Sequence, residues 1–224
     1  MKLKLSKVLL SDRPSPQSVL LGVISLAVLV LIHGIDSNEL VASGKLIYQD
    51  HEYWRAFTTS LVHADTNHLG HNLLFFTGLS ILLNHYFGWF VYPLMSLLIG
   101  GVINLIALKI YPPDIHLVGI SGVIYFMAGF WLILYIFIER RFTLTRRIIN
   151  STAIGLIFLF PEVLQTRVSY LAHGLGLSFG LMFGLVYFYF QKNSIRSHER
   201  WIEVPPDPDI ILVEDFTIDE NNQI

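Results

Sequence analysis

The stretch VGISGVIYFMAGFWLILYIFI, residues 118–138, joins a small Gly-Ile-Ser-Gly step to a long apolar run without any charged side chain. About 20 mostly apolar residues suffice for a helix to cross the hydrocarbon core of a bilayer. The stretch therefore predicts a membrane-spanning helix. Its first turn carries Ser121, and a polar group at that depth needs a reason because burying it is costly.

Five further stretches share this apolar character, and they cover residues 19–35, 68–87, 90–109, 148–164 and 169–190. The whole chain of 224 residues is 53% hydrophobic and only 14% charged, whereas soluble domains carry about a quarter charged residues. These figures exclude an ordinary soluble domain and predict an all-α membrane protein, a bundle of six transmembrane helices. Cysteine is absent, which excludes disulfides, thiolate metal sites and a cysteine nucleophile.

Lysine and arginine outside the predicted spans indicate the direction of the chain across the membrane. With a cytoplasmic N-terminus, eleven of these cations fall on the cytoplasmic side and four on the other, so we expect both termini in the cytoplasm. Residues 1–18 then form a cytoplasmic N-terminal segment, and residues 19–190 form the membrane domain. Residues 191–224 are predicted to be a flexible cytoplasmic tail, since residues 201–224 hold seven acids and no lysine or arginine.

Polar side chains gather where the second, fourth and sixth spans begin, and the expected direction places all three beginnings near the outer surface. Ser121 and His173 form a pair suited to acyl transfer, with serine as nucleophile and histidine as general base. His68 and Asn72, four residues apart, share one face of the second helix and can donate hydrogen bonds to an oxyanion. The spans contain no aspartate, so we expect a Ser-His dyad rather than a triad.

A stripe of glycines in the sixth span, which favours close helix packing, comprises Gly176, Gly180 and Gly184. Tyr125 follows Ser121 by one turn on the same helix face, where it can pack against the ring of His173. Taken singly, a membrane serine, a membrane histidine or a glycine stripe is more often a packing feature than a catalytic one. Their coincidence at one depth is what favours an active site.

Two other kinds of site are weighed against this one. His63, His68 and His71 suggest a metal, because imidazole is a common ligand. The metalloprotease pattern His-Glu-x-x-His is absent, so we expect neither a metal nor another cofactor. A transporter or channel would need polar residues to continue along the helices, but the second span reads Leu-Leu-Phe-Phe directly after Asn72.

These residues together resemble the rhomboid family of intramembrane serine proteases over roughly residues 50–190. The motifs that carry the resemblance follow the family's order: Trp54-Arg55, His63, His68, Asn72, Gly119-Ile120-Ser121-Gly122, Tyr125, and Ala172-His173 with Gly176 and Gly180. Two positions depart from the family pattern. Asn84 stands where many members carry an acidic residue, and Thr59 stands where many carry histidine.

The resemblance implies a six-helix rhomboid-like bundle with a water-accessible cavity that opens outward. It also implies a role for each site residue: Ser121 as nucleophile, His173 as base, His68, Asn72 and the Ser121 amide as oxyanion donors, and Tyr125, Gly119, Gly122 and His63 in support. Substrates are expected to be transmembrane segments of membrane proteins, cleaved within the lipid bilayer near its outer surface through an acyl-enzyme.

In the rhomboid family, which the chain resembles, six spans are the basic form common in bacteria. The resemblance therefore implies a multi-pass protein of the bacterial plasma (inner) membrane. No nucleic acid is expected as a partner, and the oligomeric state stays open. The alternative function is that of a non-catalytic rhomboid-like protein, which binds transmembrane segments and directs their trafficking or degradation.

Overall fold

The computed structural model describes residues 2–34, 38–163 and 169–204. Most of these residues are helical, and the α-helices in chain order are α1 (Pro16–His33), α2 (Gly44–Tyr48), α3 (Arg55–Thr58), α4 (Thr66–Trp89), α5 (Ser96–Ile110), α6 (Ser121–Ile138), α7 (Leu144–Val163) and α8 (Tyr170–Arg196). Short 3₁₀ turns cover Leu9–Ser11, Asn38–Leu40 and Thr59–Leu61, and a π-helical turn, Phe90–Met95, joins α4 to α5. The strands are β1 (Lys2–Lys7), β2 (Ala42–Ser43), β3 (His116–Leu117) and β4 (Arg200–Val204).

Four stretches of the described chain are long and apolar enough to cross a membrane. They are α1, α6, α8 and the stretch Thr66–Ile110, which holds both α4 and α5. These helices confirm the predicted class, an all-α membrane protein. The fifth predicted span covers residues 148–164, and its described part, residues 148–163, is helical within α7, but α7 is not one of the four apolar stretches.

Helix α6 is the centre of the bundle, and it contacts α4, α5, α7 and α8. Within the apolar window of α6, 67% of the residues are buried, compared with 17% in α1. Helix α1 packs on α4 at the periphery, and it exposes side chains such as Leu20 and Leu31. A helix that is apolar all round can be exposed in this way because lipid hydrocarbon covers it.

Contacts between helix ends establish the directions of the helices. His68, near the beginning of α4, and Tyr111, directly after α5, line the same cavity, so α4 and α5 run in opposite directions. At the other side of the bundle, the N–H of Ser15 before α1 donates to Nδ1 of His85 near the end of α4, at 3.1 Å. Ser121 at the beginning of α6 and Ser169 before α8 line the same cavity as His68, so the beginnings of α4, α6 and α8 lie on one side of the bundle.

Side-chain caps determine where two of these helices begin. Asp65 precedes α4, and its carboxylate accepts the N–H of His68 at 2.8 Å. Ser169 precedes α8, and its hydroxyl accepts the N–H of Ala172 at 3.1 Å. Such a cap is worth about 1 kcal/mol. Both caps place the predicted site residues in the first two turns of their helices.

Two strand pairs connect segments that are distant in sequence. Strand β1 pairs antiparallel with β4, and β2 pairs antiparallel with β3.

Helix α8 continues to Arg196, past the predicted end of the membrane domain at residue 190. Residues 191–196 thus continue a helix and residues 200–204 pair with β1, which satisfies their backbone groups; the flexibility of the tail stays a prediction. The rest of that tail, residues 205–224, lies outside the described residues.

Candidate active site

Ser121 and His173 meet at the interface of α6 and α8. Oγ of Ser121 lies 2.8 Å from Nε2 of His173, the distance at which a hydroxyl donates a hydrogen bond to an unprotonated ring nitrogen. Ser121 is 8% exposed and His173 is 5% exposed. The pair is therefore shielded on most sides, and a proton can pass directly from oxygen to nitrogen.

The ring of Tyr125 stacks on that of His173, with centroids 4.1 Å apart and planes 10° from parallel. Tyr125 lies one turn after Ser121 on α6, so one helix supplies both the hydroxyl and the surface against which the imidazole rests. The two helices come this close because Gly176 faces the backbone of α6, where a methyl group would lie 3.0 Å from Cβ of Tyr125. Stacking of this kind restricts the rotation of the imidazole ring.

The loop before α6 turns sharply at Gly119, which has a φ of +107°. That backbone conformation favours glycine. A side chain there would also collide with His68, since an added Cβ would lie 2.8 Å from Cε1 of the imidazole. Gly119 thus allows the ring of His68 to lie against the loop, two residues before Ser121. The first N–H groups of α6 have no partner within the helix, so the amide of Ser121 is a potential donor.

Asn72 lies one turn after His68 on α4 and is fully buried. Neither its amide nitrogen nor its amide oxygen has a hydrogen-bond partner among the described residues. Buried polar atoms are nearly always paired, and an unpaired one costs about 1–3 kcal/mol. An unsatisfied donor beside His68 is what a site that binds an oxygen anion requires.

His63 approaches the same loop from the segment before α4. Its Nε2 accepts the N–H of Ile120 at 3.5 Å, and its ring lies 5.3 Å from that of His68, centroid to centroid. Burial, and to a lesser extent the neighbouring His68, lower the pKa of His63 to about 4. His63 is accordingly neutral at pH 7, as an acceptor of this N–H must be.

A cavity of about 480 Å³ opens beside the dyad. Four of the predicted site residues line it: His68, Gly119, Ser121 and Gly122. The rest of its wall comes mainly from residues 111–118, which connect α5 to α6, and from the beginning of α8. A peptide segment that entered this cavity would meet the hydroxyl of Ser121 directly.

A family model described as the rhomboid domain matches residues 50–190, which is more than half of the chain. This protein belongs to the rhomboid family. The matched region contains every predicted site residue, from His63 to His173. A comparison with curated proteins finds no match. Membership of the rhomboid family and the apolar helices together make the chain an integral membrane protein.

Two polar residues near this rhomboid site were not predicted as part of it. Asn104 on α5 lines the cavity, and its Nδ2 donates to the backbone oxygen of Ala56 at 2.8 Å and to Oγ of Ser60 at 3.0 Å. Thr59 is fully buried beside the loop that precedes Ser121. The sequence did offer a signal for Asn104, since a polar amide in the middle of the apolar run 90–109 needs a hydrogen-bond partner. The partners could not be identified from the sequence because they lie about 45 residues away.

The candidate metal ligands do not come together as a set. Within residues 2–34, 38–163 and 169–204, no group of three or more histidine, aspartate or glutamate side chains is arranged to hold a metal ion. His71 instead bonds through Nδ1 to the backbone oxygen of Asn67, at 2.8 Å. The chemistry available at the site is that of the hydroxyl, the imidazoles and the amides.

Proposed function

We propose that this protein is an intramembrane serine endopeptidase, which cleaves transmembrane segments of membrane proteins near the outer surface of the bilayer. The observation that carries the proposal is the 2.8 Å contact between Ser121 Oγ and His173 Nε2 beside a cavity. A serine becomes an effective nucleophile when an adjacent base removes its proton. The rhomboid family is generally one of intramembrane serine proteases, which supports the same reaction.

The first half of the proposed reaction forms an acyl-enzyme. Oγ of Ser121 attacks the carbonyl carbon of the scissile bond while its proton moves to Nε2 of His173. The resulting tetrahedral intermediate collapses as His173 returns that proton to the leaving amine, which departs with the C-terminal part of the substrate. In the second half, water attacks the ester with His173 as base and releases Ser121.

The negative oxygen of the intermediate needs donors that are already in place. We assign this role to the amide nitrogen of Asn72, the ring of His68 and the backbone N–H of Ser121. Removal of one such donor typically lowers the rate about 10²–10³-fold. The buried, unpaired amide of Asn72 supports this assignment, because an oxyanion would supply the acceptor that its amide nitrogen lacks.

We also propose a location and an orientation in the membrane. Residues 1–18 and the chain after residue 190 would face the cytoplasm of a bacterial cell, and the cavity would face outward from its plasma membrane. The cation count supports this direction. A substrate segment would reach Ser121 from the bilayer and be cut where its backbone can leave the helical state.

The test is labelling by a fluorophosphonate, which reacts covalently with an activated serine, in purified protein in detergent. Wild type should label, whereas Ser121→Ala and His173→Ala should not. Ser80→Ala is the matched control, since Ser80 is also a buried helical serine, but its hydroxyl donates to the backbone oxygen of Thr77, at 2.9 Å. This control should label like wild type.

A second assay follows cleavage of a reporter transmembrane segment in liposomes. A folded wild type that neither labels nor cleaves would contradict the peptidase proposal. It would favour the alternative, a rhomboid-like protein that binds transmembrane segments and directs their trafficking or degradation without cutting them.

A further inference from the structure

Thr59 holds the loop that precedes Ser121 at two points. Its hydroxyl donates to the backbone oxygen of Leu117, and its own backbone oxygen accepts the N–H of Gly119 at 3.2 Å. These two contacts lie on either side of Val118. Since Thr59 is fully buried, water cannot replace either bond when it is lost, and each bond is correspondingly important.

The hydroxyl of Thr59 also joins two strands. It accepts the N–H of Ala42 at 3.1 Å while it donates to Leu117. Ala42 in β2 and Leu117 in β3 are themselves paired in the antiparallel ladder. A side chain that donates and accepts at once, and that is short enough for this gap, satisfies both backbone groups. Valine has nearly the same shape as threonine but can do neither.

Thr59 can act as an anchor because its own segment is fixed to α5. Asn104 donates to Ala56 and to Ser60, on both sides of Thr59. Four residues after Thr59, His63 accepts the N–H of Ile120. The segment that contains residues 56–63 is therefore a support, and the loop before Ser121 is bound to it at residues 117, 119 and 120.

The position of this loop matters for the proposed reaction. It carries Gly119, whose positive φ brings the backbone against His68, and it delivers the backbone N–H of Ser121 to the cavity wall. A displacement of about 1 Å in a group that positions the reacting atoms can cost about 10²-fold in rate. A loop with a loosened anchor would misdirect both the hydroxyl and the amide of Ser121.

We propose that Thr59 is a positioning residue for the peptidase, whose hydroxyl fixes Leu117 and so, together with its backbone oxygen at Gly119, holds the loop so that Ser121 faces the substrate. This inference rests on the proposed function. It assigns Thr59 no contact with the substrate, so its loss should lower kcat and leave KM nearly unchanged.

The test compares Thr59→Val, Thr59→Ser and Thr58→Val in liposome cleavage of the reporter segment. Thr59→Val should lower kcat at least about tenfold, with KM within about twofold of wild type. Thr59→Ser keeps the hydroxyl and should restore kcat to within about threefold. Thr58→Val is the matched control, because the neighbouring hydroxyl donates to the backbone oxygen of Leu40, outside the Ser121 loop; its kcat should stay within about twofold of wild type.

Amide hydrogen exchange of a peptide covering residues 116–120 provides a readout that does not depend on activity. Thr59→Val should exchange this peptide faster than wild type at temperatures where both are folded, and Thr59→Ser should not. If wild type is active but Thr59→Val has the kcat and the exchange rate of wild type, the proposed role of Thr59 is wrong. That result leaves the peptidase proposal standing. A wild type that cleaves nothing overturns the peptidase proposal, and the exchange rates then decide whether Thr59 anchors the loop.

Discussion

A single methyl group at Gly180 should separate the two helices that carry the dyad. An added Cβ would lie 2.9 Å from the carbonyl carbon of Phe126 and 2.9 Å from the backbone nitrogen of Phe130, with the oxygen of Phe126 closer still. All three are backbone atoms of α6, which cannot rotate out of the way as a side chain can. Because carbon atoms rest about 3.5–4.0 Å apart, Gly180→Ala should open the interface of α6 and α8 by about 1 Å.

The expected losses follow from that displacement. Ser121 on α6 and His173 on α8 are 2.8 Å apart, and an opening of about 1 Å places them beyond hydrogen-bond range. The rate should fall about 10²-fold. Overpacking should lower the free energy of unfolding by about 1–3 kcal/mol, against which the higher helix propensity of alanine returns at most about 1 kcal/mol.

The assay measures the rate of fluorophosphonate labelling together with the thermal unfolding midpoint in detergent. Gly174→Ala on the same helix is the control, since nothing lies within 4 Å of an added Cβ there; its labelling rate should match wild type, and its unfolding midpoint should equal or slightly exceed that of wild type. If Gly180→Ala labels at the wild-type rate and unfolds at the wild-type midpoint, the close approach of α6 and α8 does not hold the dyad together and the reasoning fails.

Three further predictions concern the ring that packs on His173, the far end of α6 and the metal hypothesis. Tyr125→Leu should slow labelling about tenfold because the stacking on His173 is lost, whereas a Tyr125→Phe protein that labels equally slowly would assign the effect to the hydroxyl instead. Glu139→Gln should lower the free energy of unfolding by about 1–3 kcal/mol, since buried Glu139 bonds Arg141 at 2.6 and 2.7 Å; urea unfolding of a solubilised sample checks this. Dialysis against a chelator should leave cleavage unchanged, and a loss that zinc restores would reopen the metal hypothesis.

Most of the helical architecture was readable from the sequence, since about 20 apolar residues in a row permit few structures other than a membrane helix. The ends of the helices were harder to predict. The second and third spans were predicted as residues 68–87 and 90–109, but a π-helical turn over Phe90–Met95 delays the beginning of α5 to Ser96. This turn packs against α4, and the hydropathy of a sequence does not indicate such packing.

The strands were not predicted. The alternation Lys-Leu-Lys-Leu in β1 is a strand signal, but its partner β4 lies almost 200 residues further along the chain. The pairs formed by β1 with β4 and by β2 with β3 are both non-local, and periodicity within one segment cannot identify the second strand.

Predictability differed in the same way within the candidate site. Ser121, His173, His68 and Asn72 stood out because polar side chains are conspicuous at the beginning of an apolar span, and the structure places Ser121 and His173 in contact. Thr59 was noticed only as a departure from the rhomboid pattern and was given no role, because a threonine in a mixed loop is ordinary. Its importance comes from three backbone groups that only the folded chain brings to it.

The pairing of β1 with β4 also has a consequence for the parity of membrane crossings. Hydrogen bonds between residues 2–7 and 200–204 require both strands on one side of the bilayer, so the chain between them must cross an even number of times. If α1, α4, α5, α6 and α8 each cross the bilayer once, they supply five crossings, an odd number. We therefore expect α7 to supply a sixth crossing. The pairing of β1 with β4 thus favours a transmembrane path for α7, a helix that is not among the stretches apolar enough to predict one.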